Sequence, residues 1–228
     1  MSNNNKTSQK EDELNQNGGS LHQQGDELYT SLFLGVYFSS FNIKTKELSF
    51  WYCRKICEVI IEDIKRKNNP NKKYNILLLG LDLGGILIHL TNKYDNIFVT
   101  GVDIFDTYFD IIKKYSPPNN FKLIKEDANE FMKNTIDTYD YIICDIFTHN
   151  TLIPDFVFSN EFILNIKKHL SADGLFLINT VSISYTFLKM VYTKIFNNSE
   201  IRFENEIPFI LNILAFYTLN TVTIINNR

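Results

Sequence analysis

Residues 75–87 read NILLLGLDLGGIL, an apolar run that ends in a glycine-containing turn and then becomes apolar again. An apolar run of this length bounded by glycine is typical of a strand buried on both faces of a sheet. Glycine at a strand end lets the backbone approach a ligand closely, and the start of the following helix can accept negative charge. The stretch therefore predicts a nucleotide-binding turn, although Asp82 stands where such a turn usually has its middle glycine.

Strand and helix patterns alternate on both sides of this turn. Strands are predicted at 75–80, 97–103, 121–127, 140–145 and 175–181, and helices at 51–67, 84–94, 107–116, 128–136, 160–170 and 183–196. This alternation is typical of a parallel sheet with helices on both faces. Residues 201–207 and 212–220 would add two strands joined too closely to be parallel. We therefore predict an α/β, Rossmann-like class I methyltransferase fold with a mostly parallel seven-stranded sheet and a C-terminal antiparallel hairpin.

Composition limits the function classes. The chain has 228 residues, 44% of them hydrophobic, which is enough for one domain with a sizeable core. Its formal net charge of -3 provides no basic field, so no nucleic-acid partner is expected. Three scattered cysteines predict reduced thiols and no metal site. A polar N-terminus without a signal core, and the polar interruptions in residues 207–225, predict a cytoplasmic protein that does not span a membrane.

The chain divides into three predicted parts. Residues 1–26 are rich in Asn, Gln, Ser and charged residues and are expected to form a disordered tail. Residues 27–50 alternate loosely between aromatic and small side chains, which predicts an N-terminal hairpin or lid. Residues 51–228 would form the Rossmann-like domain.

Aspartates follow the next three predicted strands. Ligands of such sheets lie at the carboxyl ends of the strands, where Asp103, Asp127 and Asp145 stand. Asp103 follows the glycine turn by roughly 20 residues, the spacing at which an acid accepts hydrogen bonds from ribose hydroxyls. Asp127 could accept from an adenine amino group, and Asp145 would lie beside the substrate. A single strand-end Asp often only caps a helix, but the series after a glycine turn favours nucleoside binding.

Four segments make the resemblance specific: LLLGLDLGGILIHL, VTGVDIFDTYFDIIKKYS, the pair KEDANEFM and YDYIICDIF, and FSNEFILNIKKHLSADGLFLINTV. Residues 75–220 resemble the spermidine synthase-like branch of S-adenosylmethionine enzymes, most closely the eukaryotic methyltransferases that modify translation elongation factor one alpha. The resemblance implies that S-adenosyl-L-methionine is the cofactor and that it contacts Gly80, Asp82, Gly84, Gly85, Asp103, Asp127, Ala128 and Asp145. Asp145 would lie beside the reacting group as the candidate catalytic residue.

The chain departs from true spermidine synthases at three places. Leu83 stands where they have an acid before the paired glycines, and Thr148 stands where they have a second aspartate. Their amine-binding segment has no clear counterpart in residues 44–55, KTKELSFWYCRK. Because an unpaired buried ammonium is very unfavourable, these losses argue against aminopropyl transfer. We therefore expect methyl transfer to a lysine or N-terminal amine of a protein substrate, with S-adenosyl-L-homocysteine as the product; a homodimer is compatible with the sequence.

Asp82 leaves three interpretations open. Its carboxylate could attract the cationic end of the cofactor. It could instead crowd that end, which would make the protein a degenerate, catalytically inactive binding module. It could also point into solvent or cap the following helix.

Overall fold

The computed structural model describes residues 20–31, 37–148, 152–181, 185–193, 196, 201–205 and 220–226. The strands are β1 (Ser20–Gln24), β2 (Glu27–Ser31), β3 (Tyr37–Asn42), β4 (Tyr74–Leu79), β5 (Ile97–Asp103), β6 (Phe121–Lys125), β7 (Tyr139–Cys144), β8 (Leu170–Val181), β9 (Ile201–Asn205) and β10 (Asn220–Asn226). The helices are α1 (Trp51–Lys67), α2 (Gly85–Lys93), α3 (Phe109–Tyr115), α4 (Ala128–Asn134), α5 (Asn160–His169) and α6 (Tyr185–Thr193), and Asp155–Phe158 forms a 3-10 turn.

The main sheet has seven strands in the order β6-β5-β4-β7-β8-β10-β9. The strands from β4 to β8 pair in parallel, whereas β10 pairs antiparallel with both β8 and β9. The strand order reverses direction at β4, which places the turn after β4 where ligands of open α/β sheets bind. The predicted fold class is confirmed.

The apolar sequence of β4 reflects burial on both faces of the sheet. Ile76 and Leu78 pack into the core under α1 and α2, whereas Leu77 and Leu79 pack into the core under α4 and α5. Successive side chains point to opposite faces of a strand, so a strand covered on both sides needs a continuous apolar run. All four side chains are at most 1% exposed.

A separate three-stranded antiparallel sheet, β1-β2-β3, precedes the main sheet. Leu28 of β2 and Phe41 of β3 are buried in the same core as α1, so this sheet packs against the main domain. Strand β1 lies in the segment that the sequence predicted to be disordered. Its five residues are all exposed, and pairing with β2 orders it without any buried side chain that the sequence could signal. Residues 1–19 lie outside the described residues, and the domain division at residue 51 stays a prediction.

The last strand differs from the sequence prediction. The antiparallel hairpin geometry is confirmed, but β10 is Asn220–Asn226 and not residues 212–220. The prediction placed the strand in an apolar stretch, but the buried residues come later in the chain. Val222 and Ile224 are buried on the face of the sheet that α1 covers, and Ile225 is buried on the opposite face. Residues 206–219 lie outside the described residues. No helix in the described part of the chain is long and apolar enough to cross a bilayer.

Candidate functional site

The turn between β4 and α2 has the open backbone that its glycines predict. Gly80 has φ +84° and Gly84 has φ +77°, a region in which a side chain is strained. The amide of Gly80 donates to the carbonyl of Val102 at 2.9 Å, which fixes the turn against β5. Gly84 precedes the first turn of α2, and Asp82 between them also has a positive φ, +43°.

Asp103 ends β5 and holds this turn. Its Oδ2 accepts from the amide of Leu81 at 2.7 Å, and its Oδ1 accepts from the amide of Phe105 at 2.9 Å. Burial raises the pKa of Asp103, and the backbone amides oppose the rise. The amide of Asp82 also donates to Oδ2, at 3.4 Å. The predicted ribose acid therefore lies against the glycine turn and is held there by backbone amides.

Asp82 binds a partner in the N-terminal sheet. Thr30 donates its hydroxyl to Oδ2 of Asp82 at 2.7 Å, and the amide of Leu83 also donates to this carboxylate. Burial raises the pKa of Asp82 to about 6, the amide of Leu83 and the Thr30 hydroxyl oppose the rise, and the charge of Asp103 adds to it. Asp82 is nevertheless an exposed residue, so solvent screens its charge. Its described partners are Thr30 and the amide of Leu83.

Asp145 follows β7 on the other side of the turn. Asn179 of β8 donates its amide to Oδ1 of Asp145 at 2.8 Å. Burial raises the pKa of Asp145 to about 7, and the charges of Asp82 and Asp103 raise it further. Asn179 is only 2% exposed, and its own Oδ1 has no hydrogen-bond partner among the described residues. A buried acceptor without a partner is unfavourable, which is consistent with a site that a ligand or water completes.

A cleft joins these elements. Its lining consists of Tyr52, Cys53, Leu78, Gly80, Leu81, Asp82, Gly85, Ile86 and Asp145. The structure therefore brings together four of the predicted residues, Gly80, Asp82, Gly85 and Asp145, and the charge of Asp103 acts on both carboxylates. No Lys, Arg or His is among the described residues that line the cleft. The described part of the site is therefore acidic.

Two cleft residues, Tyr52 and Cys53, were missed in the sequence. They lie in the first turn of α1, where the periodicity indicates only a packed helix. Burial holds the pKa of Tyr52 well above its usual value, so its hydroxyl stays protonated and uncharged. The neighbouring Arg54 does not line the cleft; its guanidinium donates to the backbone carbonyls of Leu48 and Ser49. The only signal in the sequence for this role was the position of the aromatic Tyr52 at the start of a predicted helix.

The predicted adenine residues Asp127 and Ala128 stand apart from this lining. Asp127 follows β6, and its Oδ1 accepts from the amides of Asn129 at 2.9 Å and Glu130 at 3.2 Å. It therefore caps α4, the ordinary role of an Asp before a helix. Ala128 begins α4 and is buried. Contact of either residue with adenine stays a prediction.

The raised pKa of Asp145 predicts pH-dependent stability. Its folded-state pKa of about 7 exceeds the value of about 4 expected for an unfolded chain. The protonated group therefore stabilises the fold, and this contribution is lost as pH rises through about 7. Because Asp145→Asn cannot ionise, its melting temperature relative to wild type should rise with pH across this window. Differential scanning fluorimetry checks this, and a pH-independent difference would contradict it; Asp110→Asn, at a 98% exposed side chain, is the control.

The comparisons with known proteins give the family. The model of the spermine/spermidine synthase domain matches residues 51–226, which is most of the chain. The chain belongs to the spermine/spermidine synthase domain family. Within this synthase-family chain, α1, the glycine turn and Asp145 all lie inside the matched segment, and the N-terminal sheet precedes it.

Several curated relatives of this synthase-family chain are named for aminopropyl transfer, and two are named as ubiquinone biosynthesis O-methyltransferases. A polyamine aminopropyltransferase of Clostridium botulinum is 32% identical over 124 residues, which cover 51% of this chain and 43% of the relative. A polyamine aminopropyltransferase of Vibrio vulnificus is 29% identical over 136 residues, covering 56% and 45%. The chain thus matches less than half the length of each relative.

A solved structure supports the fold. The probable spermidine synthase of Corynebacterium glutamicum superposes with a TM-score of 0.78 at 18% identity, over 92% of this chain and 77% of that one. These findings show a spermidine synthase-like domain in the class I methyltransferase fold, and they do not single out the elongation-factor methyltransferases. The prediction of a protein methyltransferase is wrong, because the family and the names of the relatives favour the aminopropyltransferase alternative.

The structure changes the interpretation of two of the three departures from spermidine synthases. Leu83 is fully buried, but the residue before it, Asp82, places a carboxylate in the cleft. Tyr52 contributes an aromatic hydroxyl from the segment that had no clear counterpart. Thr148 remains a departure: its amide donates to the carbonyl of Leu152 at 2.8 Å.

Proposed function

We propose that this chain transfers an aminopropyl group from decarboxylated S-adenosylmethionine to an amine. Family membership and the names of the relatives support the reaction class. The observation on which the proposal rests is the cleft in which Asp82 and Asp145 meet without a basic side chain in the described lining. The decarboxylated donor takes the place of S-adenosyl-L-methionine, which the sequence predicted.

The charge of the cleft favours a donor without a carboxylate. Decarboxylated S-adenosylmethionine has a positive sulfonium and a positive ammonium, whereas S-adenosylmethionine adds a negative carboxylate. The carboxylates of Asp82, Asp103 and Asp145 attract the first and repel the added charge of the second. A basic side chain would favour the carboxylate of the complete methionine end, and the described lining has none. The donor set of the described cleft therefore fits the decarboxylated form better.

Asp103 and the glycine turn would hold the adenosyl half. The positive φ of Gly80 and the buried Gly85 let the backbone approach a ligand, and the carboxylate of Asp103 lies beside them, held by the amides of Leu81 and Phe105. This assignment keeps the prediction for Asp103, with the ribose hydroxyls as donors.

Asp103→Ala should weaken binding of the adenosyl ligand by about 1–3 kcal/mol, the scale of a lost charged hydrogen-bond acceptor. Isothermal titration with 5′-methylthioadenosine measures this without any acceptor amine. Asp106→Ala is the matched control, because Asp106 lies in the same loop but pairs with Lys125 at an exposed position. Equal affinities of Asp103→Ala and wild type, with melting curves unchanged, would remove Asp103 from the site.

Asp145 is placed to prepare the acceptor amine. An amine attacks only after it loses its proton, and a base whose pKa lies near the working pH takes that proton efficiently. Asp145 has a pKa of about 7, and Asn179 holds its Oδ1 at 2.8 Å, which orients the carboxylate. The hydroxyl of Tyr52, in the wall of the same cleft, stays protonated and can accept from or donate to the acceptor.

When bound, the donor supplies an activated carbon: the nitrogen–carbon bond forms as the carbon–sulfur bond breaks, and the electron pair goes to sulfur, leaving neutral 5′-methylthioadenosine. The proton lost by the amine goes to Asp145 and from there to solvent. The apolar side chains of Leu78, Leu81 and Ile86 limit the access of water.

Incubation with decarboxylated S-adenosylmethionine and a panel of amines tests the proposal. The panel contains putrescine, spermidine and simple monoamines, and chromatography measures 5′-methylthioadenosine. We expect 5′-methylthioadenosine to form only when an amine and the decarboxylated donor are both present. No product with any amine, combined with no binding of the donor in titration, would overturn the proposal, and so would methyl transfer from S-adenosylmethionine to an amine.

A further inference from the structure

Arg54 lies in the first turn of α1, where a positive charge is unfavourable by itself. The amino end of a helix carries partial positive charge, so acids are favoured there and bases are not. The first turn of α1 has no acidic residue, and Phe50 at its N-cap position carries no hydrogen-bond acceptor in its side chain. Helix capping and the helix dipole therefore do not account for an arginine at this position.

The guanidinium of Arg54 reaches back to the residues that precede the helix. Its Nη1 donates to the carbonyl of Leu48 at 3.0 Å and to the carbonyl of Ser49 at 2.5 Å. The hydroxyl of Ser49 donates to the carboxylate of Glu27, which lies at the start of β2. Residues 48–50, the pre-helix segment, are therefore tied to α1 by Arg54 and to the N-terminal sheet by Glu27.

The pre-helix segment also contacts the cleft residue Tyr52. The ring centroids of Phe50 and Tyr52 lie 6.2 Å apart, and Tyr52 lines the cleft. Leu48, at the other end of the segment, is buried and forms a bridge with Phe41 of β3. Because Arg54 is an exposed residue outside the cleft lining, its influence on the cleft passes through this segment.

We propose that Arg54 is a positioning residue for the acceptor amine: it fixes the pre-helix segment, which sets the place of the Tyr52 hydroxyl in the cleft. This role rests on the proposed function, in which that hydroxyl contacts the acceptor. A hydroxyl that is already held in place binds a ligand without the cost of ordering it on binding. The adenosyl half of the donor is assigned to the glycine turn, so the loss of Arg54 should affect the acceptor and not the donor.

Steady-state kinetics of Arg54→Met tests this role, with decarboxylated S-adenosylmethionine and the best acceptor among putrescine, spermidine and simple monoamines. We expect the KM for the acceptor to rise about fivefold, the scale of one lost hydrogen bond, with kcat within about twofold of wild type. Affinity for 5′-methylthioadenosine, measured by titration, should also stay within about twofold of wild type. Arg54→Lys keeps a charged donor, so its KM should lie closer to that of wild type.

A double-mutant cycle with Tyr52→Phe separates positioning from general destabilisation. Tyr52→Phe should raise the KM for the acceptor, because it removes the hydroxyl itself. Since Arg54 acts through this hydroxyl, adding Arg54→Met to Tyr52→Phe should raise the KM by less than about twofold further. Two substitutions that act independently would instead multiply their effects.

Arg66→Met is the matched control, because it removes the same side chain from the last turn of α1, where Arg66 pairs with Asp63. It should leave the KM for the acceptor unchanged. An unchanged KM in Arg54→Met, an Arg54→Lys variant no better than Arg54→Met, or effects of Arg54→Met and Tyr52→Phe that multiply would overturn the role of Arg54. Activity of wild type would then leave the proposed function standing, whereas no formation of 5′-methylthioadenosine by wild type would overturn both. If Arg54→Met does not fold, Ser49→Ala, which removes the bond to Glu27, must show the same direction of change in KM.

Discussion

Asp145→Asn should lower the rate of aminopropyl transfer by about 10²–10⁴-fold, the usual contribution of a positioned general base. The substitution preserves size and still accepts the hydrogen bond from Asn179, so the cleft should keep its shape. What is lost is the carboxylate that we propose takes the proton from the acceptor amine. Steady-state formation of 5′-methylthioadenosine measures the effect on kcat.

The pH profile distinguishes this role from a structural one. Asp145 acts as a base only when it is ionised, so the rate ratio of wild type to Asp145→Asn should rise as pH increases through about 7. Titration of the amine affects both proteins equally and cancels in this ratio. Binding of 5′-methylthioadenosine should be similar in both, since Asp145 is placed toward the acceptor. A ratio that does not vary with pH would remove Asp145 from proton transfer.

Gly80→Ala should destabilise the fold by about 2–5 kcal/mol, the combined scale of a left-handed alanine and an overpacked core position. An added Cβ would lie 2.3 Å from the carbonyl oxygen and 2.7 Å from the carbonyl carbon of Asp145. These are backbone atoms of the neighbouring strand end, so a side-chain movement cannot relieve the overlap. Urea denaturation measures the free energy of unfolding.

Gly25→Ala is the matched control for this effect. Gly25 also has a positive φ, +60°, but an added Cβ there would meet no atom within 4 Å. Its cost should be limited to the backbone term, about 1 kcal/mol. Equal destabilisation by the two substitutions would show that backbone conformation alone, and not the approach of Asp145, requires glycine at position 80.

The incorrect methyltransferase prediction has an identifiable physical cause. Leu83 and Thr148 stand where spermidine synthases have acids, and without those two carboxylates the sequence predicts that an amine is not held. The charge of the cleft depends, however, on which side chains line it in three dimensions. In the structure Asp82 lines the cleft, whereas Leu83 is buried in the core. A shift of one residue in a turn with positive φ values changes which side chain faces the ligand.

Local patterns in the sequence were sufficient to predict the parallel strands of the main sheet. The continuous apolar run of β4 requires burial on both faces, and the alternation of such runs with helical patterns requires parallel crossovers. The strand-end positions of Asp103 and Asp145 followed directly, because the carboxyl ends of parallel strands lie at one edge. Each of these conclusions depends on contacts within one segment or between consecutive segments.

Only the tertiary structure decided which side chains meet in the cleft. Thr30 and Asp82 are separated by 52 residues, and Asp145 and Asn179 by 34, so no periodicity indicates either pair. Tyr52 follows an ordinary amphipathic pattern, and its position in the cleft depends on how α1 packs on the sheet. Strand β1 is ordered by pairing alone. Hydrogen bonds and charge interactions between distant segments depend on the packed arrangement of the whole domain, whereas hydrophobic periodicity is a property of each segment by itself.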